Sequence, residues 1–354
     1  MGEFRTGVLS PLRKGVIMKF DAFVDGNKGI KRRDFLKLTS AVGGAVLLGG
    51  PGKVFAQSKK RISIATGGMG GVYFVIGGGI ASILTKHAGV EAAAEVTAAS
   101  VDNCKLIGAK KSDLALIMGD TGYDAFKGTG IFKGRALPIR VLTVLYPNLT
   151  HLVTLEGKGI NKVADLKGKR VSTGAPGSGT EVIALRVLEA AGINHEKDIK
   201  KDRLGASESA GALKDGKIDA YVWSGGVPTA SVLDLAASPG VKISLIGHED
   251  LIPKMTAKYG PIYYKSVIPK KVYTGMVQDT PVSTVANILV CHKDMDTQLA
   301  YNVMKGIFDH LKELAAIHKE ALHISLKDGA SSQSIPYHPG AQKFFKEKGF
   351  NVPV

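Results

Sequence analysis

The stretch Ser172-Thr173-Gly174-Ala175-Pro176-Gly177-Ser178-Gly179-Thr180-Glu181 constrains this chain most, because it reads as a strand end, a glycine-rich turn and a helix start in succession. Val171 closes a short extended run. Val182, Ile183, Leu185, Val187, Leu188, Ala190 and Ala191 then recur at helical spacing, and Gly192 follows where a left-handed C-terminal cap belongs. Ser178 and Glu181 have the spacing of a capping box. The free N–H groups and the positive end of the helix dipole then point into a turn of small residues, where an anion can come close. Gly174 and Gly179 have the separation of a nucleotide-triphosphate loop, but Thr180 stands where its lysine should follow, so the charge that holds the outer phosphates is missing. The stretch implies a site for a small carboxylate. A well-capped helix that binds nothing is the rival reading of the same residues.

With 354 residues the chain can build two domains, each with its own core. Its first part reads as an export signal. Lys31-Arg32-Arg33-Asp34-Phe35-Leu36-Lys37 precedes an apolar, glycine-rich run from Leu38 to Gly50, which is too short for a membrane span, and Val54-Phe55-Ala56 suits a signal peptidase. The twin arginine resembles the bacterial export signal for folded cargo, although a general secretory reading fits the same residues. Residues 1–56 are therefore set aside as an extension and signal peptide, with cleavage expected after Ala56. Their removal leaves 37 basic and 27 acidic residues. That balance favours anionic partners. The lysines are spread from end to end without an arginine block or interleaved aromatics, so a nucleic-acid role is not expected. Cys104 and Cys291 could pair in an exported protein, but each sits in an apolar run, which favours two buried free thiols. The nine histidines show no metal-ligand spacing, so neither a metal nor a cofactor is expected.

Along the chain the same strand–turn–helix sign recurs. Arg61 to Thr66 alternates like a first strand, Gly67-Gly68-Met69-Gly70-Gly71 breaks it, and a helical pattern runs from Val72 to about His87, with Tyr73 at its mouth. The glycine spacing is not that of a dinucleotide fingerprint. Glu95 to Ala98 reads as a second strand, Ser100 to Asn103 as a polar cap before a helix from Cys104 to Lys111, and Leu114 to Met118 as an apolar strand ending near Asp120. Asp120 faces a ligand crevice or caps the next helix. Arg140 to Tyr146 and Leu149 to Leu155 read as strands interrupted by Pro147-Asn148, a crossover between lobes. Tyr221 to Ser224 ends at Gly225-Gly226 before a helix from Thr229 to Ala237, and Trp223 either walls a pocket or fills the core. A strand from Val285 to Val290 and one long helix from Met295 to His318 follow.

Taken together, several motifs resemble the TAXI family, the substrate-binding receptors of TRAP-type, ion-driven transporters. They are Thr66-Gly-Gly-x-Gly-Gly-x-Tyr73, Ser100-x-x-Asn103, Asp113-Leu-Ala-Leu, Leu145-Tyr-Pro147, Leu166-Lys-Gly-Lys-Arg-Val171 and Gly174-Ala-Pro-Gly-Ser-Gly-Thr180. Gly216-Lys-Ile-Asp219, Gly226-x-Pro228, Ile268-Pro269 with Tyr273, and Pro339-Gly-Ala341 with Glu347-Lys-Gly349 continue the likeness from about residue 60 to 350. Met118 departs from the family pattern, where glutamine is common, and Phe74 stands in place of a second tyrosine. The resemblance implies an α/β fold of the two-lobed type II periplasmic-binding-protein kind, with a central ligand cleft and hinge crossovers. Lobe 1 would comprise residues 57–147 and 247–354, and lobe 2 residues 148–246. It further implies a monomeric periplasmic receptor, not an enzyme, that closes on a small carboxylate such as glutamate or 2-oxoglutarate and hands it to TRAP permease subunits. The expected ligand-binding residues are Thr66, Gly67, Gly71, Tyr73, Ser100, Asn103, Asp120, Ser178, Gly179, Thr180, Trp223 and Gly226. A receptor feeding a membrane sensor kinase shares these features. A hydrolase using Ser178 is less well supported, since Ser178 lacks a nucleophile elbow.

Overall fold

The structure is a computed structural model that describes residues 59–354 apart from Gln333. The expected signal peptide lies outside the described residues. Strands β1 (Arg61–Ala65), β2 (Glu91–Glu95) and β3 (Leu114–Met118) alternate with helices α1 (Val72–His87) and α2 (Ser100–Gly108), and helix α3 (Gly119–Lys127) leads to the long strand β4 (Ile139–Leu155). A second alternating series follows, β5 (Arg170–Ser172), α4 (Gly179–Ala190), β6 (Lys200–Asp202), α5 (Ala206–Lys214) and β7 (Ala220–Gly225). The chain continues through α6 (Ala230–Ala236), β8 (Ile243–Leu245), α7 (Ile252–Tyr259) and β9 (Tyr264–Ile268) to the second long strand, β10 (Thr280–His292). Helices α8 (Thr297–Asp309), α9 (Leu311–Ile317), α10 (Leu326–Gly329) and α11 (Pro339–Glu347) end it.

The result is a mixed α/β fold around a central sheet of order β2-β1-β3-β10-β4-β7-β5-β6, with β8 beside β4 and β9 beside β10. β1, β2 and β3 are parallel, as are β5, β6 and β7, so each end of the sheet is a set of βαβ units. The middle is antiparallel. β4 meets β10 from Ile139 to Leu149 and β7 from Leu149 to Thr154, so one strand serves both halves of the sheet. Its 17 residues make it the longest strand in the fold. α1 shows why the ends hold together: Ile76, Ile80, Ile83 and Leu84 recur on one face and are buried, each contributing about 1.5–3 kcal/mol of burial. β3 is buried along its whole length, as a strand covered on both faces must be. Cys104 and Cys291 are buried and unpaired.

Four expectations are corrected. Pro147-Asn148 does not interrupt β4: Pro147 pairs with Ala286 beside a register shift, and a residue without an N–H is tolerated at such an irregularity. The long helix from Met295 to His318 is two helices, broken at His310, whose imidazole Nδ1 bonds the Gly306 carbonyl at 2.8 Å. The second strand lies at Glu91–Glu95 rather than Glu95–Ala98, and α2 starts at Ser100 instead of Cys104. The chain turns between them at Ala99, whose φ of 83° is left-handed.

After α9 a short turn carries Glu320 into the interior, where it is 2% exposed and accepts the Val227 N–H. Its other oxygen has no hydrogen-bond partner among the described residues, although His323 Nε2 lies 3.9 Å away. Burial pushes the carboxyl up from 4.5 to about 7, against the pull of the Val227 N–H. A raised acid stabilises the fold fully below its unfolded value and loses that contribution as pH rises through the folded one. At about 1.4 kcal/mol per pH unit, stability is expected to fall by about 3 kcal/mol between pH 4.5 and 8. Urea unfolding across that range should show this slope in the wild type and a flatter profile in Glu320→Gln.

Candidate functional site

A cleft of about 370 Å³ lies between the two halves of the sheet. One wall is Gly67–Tyr73, Thr97–Ser100 and Met118. The other is Gly174, Ala175, Ser178–Thr180, Leu204–Glu208 and Trp223–Gly225. Each segment lies at or just after the carboxyl end of a strand and most open a helix, which is where an open α/β sheet gathers ligand contacts. The two walls touch. Val101 and Asp102 at the start of α2 donate their N–H groups to the Gly177 carbonyl at 3.1 and 3.2 Å. A Cβ added at Gly71 would stand 2.9 Å from Trp223 Cη2, and one at Gly179 would stand 2.7 Å from Ser100 Oγ.

The helix ends differ in what they offer. Gly71 begins α1 without a side-chain cap, and the N–H groups of Val72 and Tyr73 meet no acceptor among the described residues. At α4 the Ser178 hydroxyl accepts the Glu181 N–H at 3.0 Å, leaving the N–H groups of Gly179 and Thr180 without an acceptor among the described residues. These are orphan donors of two helix N-termini, supplied by opposite walls. The capping box is half formed, because the Glu181 carboxylate turns instead to Arg203, with Nη2 at 2.7 Å. α2 offers less than the sequence implies, since the Gly177 carbonyl already occupies its first N–H groups.

The floor is a polar network. Tyr73 donates its hydroxyl to the Asn287 Oδ1, which also accepts from Asn148 Nδ2 at 2.7 Å, and the Ser224 hydroxyl donates to Asn148. The Ser224 N–H reaches the Thr180 hydroxyl at 3.3 Å. Side chains of α1, α4, β4, β7 and β10 are thereby linked where the long strands cross. Burial drives the Tyr73 hydroxyl well above its ordinary pKa, so it acts as a neutral donor.

Of the expected ligand residues, Gly67, Gly71, Tyr73, Ser100, Ser178, Gly179, Thr180 and Trp223 line this cleft, whereas Thr66, Asn103, Asp120 and Gly226 do not. Thr66 is fully buried and donates its hydroxyl to the Glu95 carbonyl at 2.6 Å. Asn103 holds the strand ends together: its Nδ2 donates to the carbonyls of Thr66 at 2.7 Å and Leu116 at 2.8 Å, and its Oδ1 accepts the Thr97 hydroxyl at 2.7 Å. Asp120 belongs to a buried ionic cluster. Its carboxylate takes the Thr121 N–H at 2.7 Å, the Tyr263 hydroxyl at 3.2 Å and Arg186 Nη1 at 3.4 Å, and Arg186 also pairs with Asp124. Gly226 lies behind the cleft, where a Cβ would meet Glu320 Cγ at 2.7 Å. Sequence reading passed over Leu204-Gly205-Ala206-Ser207-Glu208, although this stretch carries the sign used elsewhere, a strand, a glycine and a helix start.

Ser178 is engaged as a helix cap, and no histidine lines the cleft among the described residues. One group of potential metal ligands, His87, His310 and Glu313, lies outside the cleft. Its imidazoles stack at 3.6 Å with 11° between their planes. Ring lone pairs in two such parallel planes cannot both point at one ion. Glu313 is held instead by His87 at 3.1 Å and Lys86 at 3.6 Å.

The fold has relatives among solved structures. A protein of Bordetella bronchiseptica RB50 is 16% identical, with 83% of this chain and 99% of that one covered at a TM-score of 0.54. The periplasmic aliphatic sulphonate binding protein SsuA of Escherichia coli is 12% identical over 82% of this chain and 91% of its own, with a TM-score of 0.42. A putative L-cystine ABC transporter of Listeria monocytogenes is 17% identical over 78% and 99%, with a TM-score of 0.46. Sequence comparison is more decisive: the profile of the NMT1-like family matches residues 64–349, and the chain belongs to that family.

Proposed function

We propose that the protein is an extracytoplasmic solute-binding receptor that captures a small carboxylate in the cleft by closure of two lobes. The observation that carries this reading is the pair of helix N-termini with free first-turn N–H groups, α1 from one wall and α4 from the other, facing one cleft. Each such terminus contributes about 0.3–1 kcal/mol to an anion when exposed and up to ~2 when partly buried, so two suit a carboxylate without an arginine. Residues 57–147 with 247–354, and 148–246, would be the two lobes, turning about β4 and β10. Gly179 and Thr180 would be the main cradle, with Ser178 fixing their helix end, and Gly67, Gly71, Tyr73, Ser100 and Trp223 would complete the wall. The resemblance to TAXI receptors makes TRAP permease subunits the partners in delivery, and a monomer in the periplasm the working form.

Titration calorimetry of the mature protein with small carboxylates, sugars and amines tests the reading. Carboxylates are expected to bind and to raise the melting temperature. Binding of sugars or amines alone would overturn it.

A further inference from the structure

The cleft walls carry one charged side chain among the described residues, and it is negative. Glu208 lines the cleft from the first turn of α5, and no lysine, arginine or histidine does. The two bases that precede it most closely in sequence are occupied, Arg203 by Glu181 and Lys201 by Glu196. Gly205 begins α5 without a side-chain cap, and the Glu208 carboxylate folds back over it. An acid in this position offsets the positive end of its own helix, so α5 repels an anion that α1 and α4 would attract. The neighbouring Ser207 hydroxyl meets Gly70 across the cleft, which puts the start of α5 at the contact between the walls. The rest of the lining includes Met69, Val72, Met118, Leu204 and Trp223. A ligand here would therefore find anion-binding donors at α1 and α4, an apolar middle and a carboxylate at α5.

We infer that Glu208 sets the specificity of the cleft, selecting a monocarboxylate that carries an ammonium group and excluding a dicarboxylate. The inference rests on the carboxylate reading above. A second ligand carboxylate has no counter-charge in the lining and meets Glu208, whereas an ammonium group gains an acceptor there. Like-charge juxtaposition is how a site rejects the wrong partner.

Calorimetry with four C5 probes, pentanoate, 2-aminopentanoate, 5-aminopentanoate and glutarate, tests this on the wild type, Glu208→Gln and Glu208→Asp. In the wild type one of the ammonium-bearing probes should bind about tenfold more tightly than glutarate. Glu208→Gln should shrink that ratio to about twofold or invert it, because the helix end it uncovers accepts a second carboxylate. Glu208→Asp, which keeps the charge, should keep the rank order. Equal binding of glutarate and the ammonium probes by the wild type, or a ratio unchanged by Glu208→Gln, would overturn the specificity role while leaving carboxylate capture intact. Failure of all four probes, with sugars or amines binding instead, would overturn both.

Discussion

Replacing Arg186 with leucine is expected to destabilise the protein by about 3–5 kcal/mol, the cost of leaving buried charge without its partner. The Arg186 guanidinium lies beneath the surface of α4 and is 5% exposed, while Asp120 and Asp124 on α3 are 0% and 6% exposed. Tyr263 donates to Asp120, and the ring of Tyr259 covers the guanidinium at 4.4 Å from its centroid. The cluster thus joins α3, α4 and the segment around α7. Leucine fills much of the volume but removes the one cation that pairs with both acids among the described residues. Burial already lifts the Asp120 carboxyl above its ordinary value even with Arg186 beside it, so without that cation it would rise further and take up a proton. A raised carboxyl favours the folded state at low pH, so the loss in Arg186→Leu should shrink as pH falls towards the ordinary carboxylate range. Urea unfolding at pH 7.5 and 5 measures both effects. Adding Asp120→Asn and Asp124→Asn should recover part of the loss at pH 7.5. A loss below about 1 kcal/mol would mean that water reaches the cluster and that its charges are not buried as a unit.

The fate of Asp120 shows what sequence can and cannot say. Its place at the end of an apolar strand was legible, and that place is shared by ligand residues and helix starts alike. What decides between them is Arg186, 66 positions away, and no local pattern links the two. Glycine turns were more legible, because their meaning is local: Gly67–Gly71 and Gly174–Gly179 read as strand–turn–helix sites from spacing alone, and Gly67–Gly71 with Gly174, Ala175, Ser178 and Gly179 line the cleft. The continuity of β4 was not, since Pro147 signals a break unless the register irregularity against β10 is known. The occupied end of α2 escaped for a related reason: the carbonyl of Gly177 reaches it from the other half of the sheet. Polar residues at a helix start identify free donors only when nothing distant fills them.

Gly179→Val is expected to weaken carboxylate capture roughly 10- to 100-fold, with little change in the melting temperature of the unliganded protein. The backbone at Gly179 is helical, as the first residue of α4, so the glycine is not required by its dihedral angles. Space requires it. A Cβ there would stand 2.6 Å from Met118 Sδ, 2.7 Å from Ser100 Oγ and 2.9 Å from Ser100 Cβ, all on the opposite wall. Ser100 cannot readily yield, because its hydroxyl accepts the Met118 N–H at 3.0 Å and ties α2 to the end of β3. Overpacking of about 1–3 kcal/mol would therefore fall on the approach of the two walls rather than on the core of either. In the two-lobed reading, that approach is what removes the carboxylate from water and strengthens each N–H donor. Small-angle scattering with and without ligand separates this from ordinary destabilisation: the wild type should contract on binding and Gly179→Val should not. Gly192→Ala, at a left-handed turn with open space around it, serves as a control that strains the backbone away from the cleft. If Gly179→Val bound and contracted like the wild type, the cleft would tolerate a side chain between its walls, and their contact at Ser100 would have no part in capture.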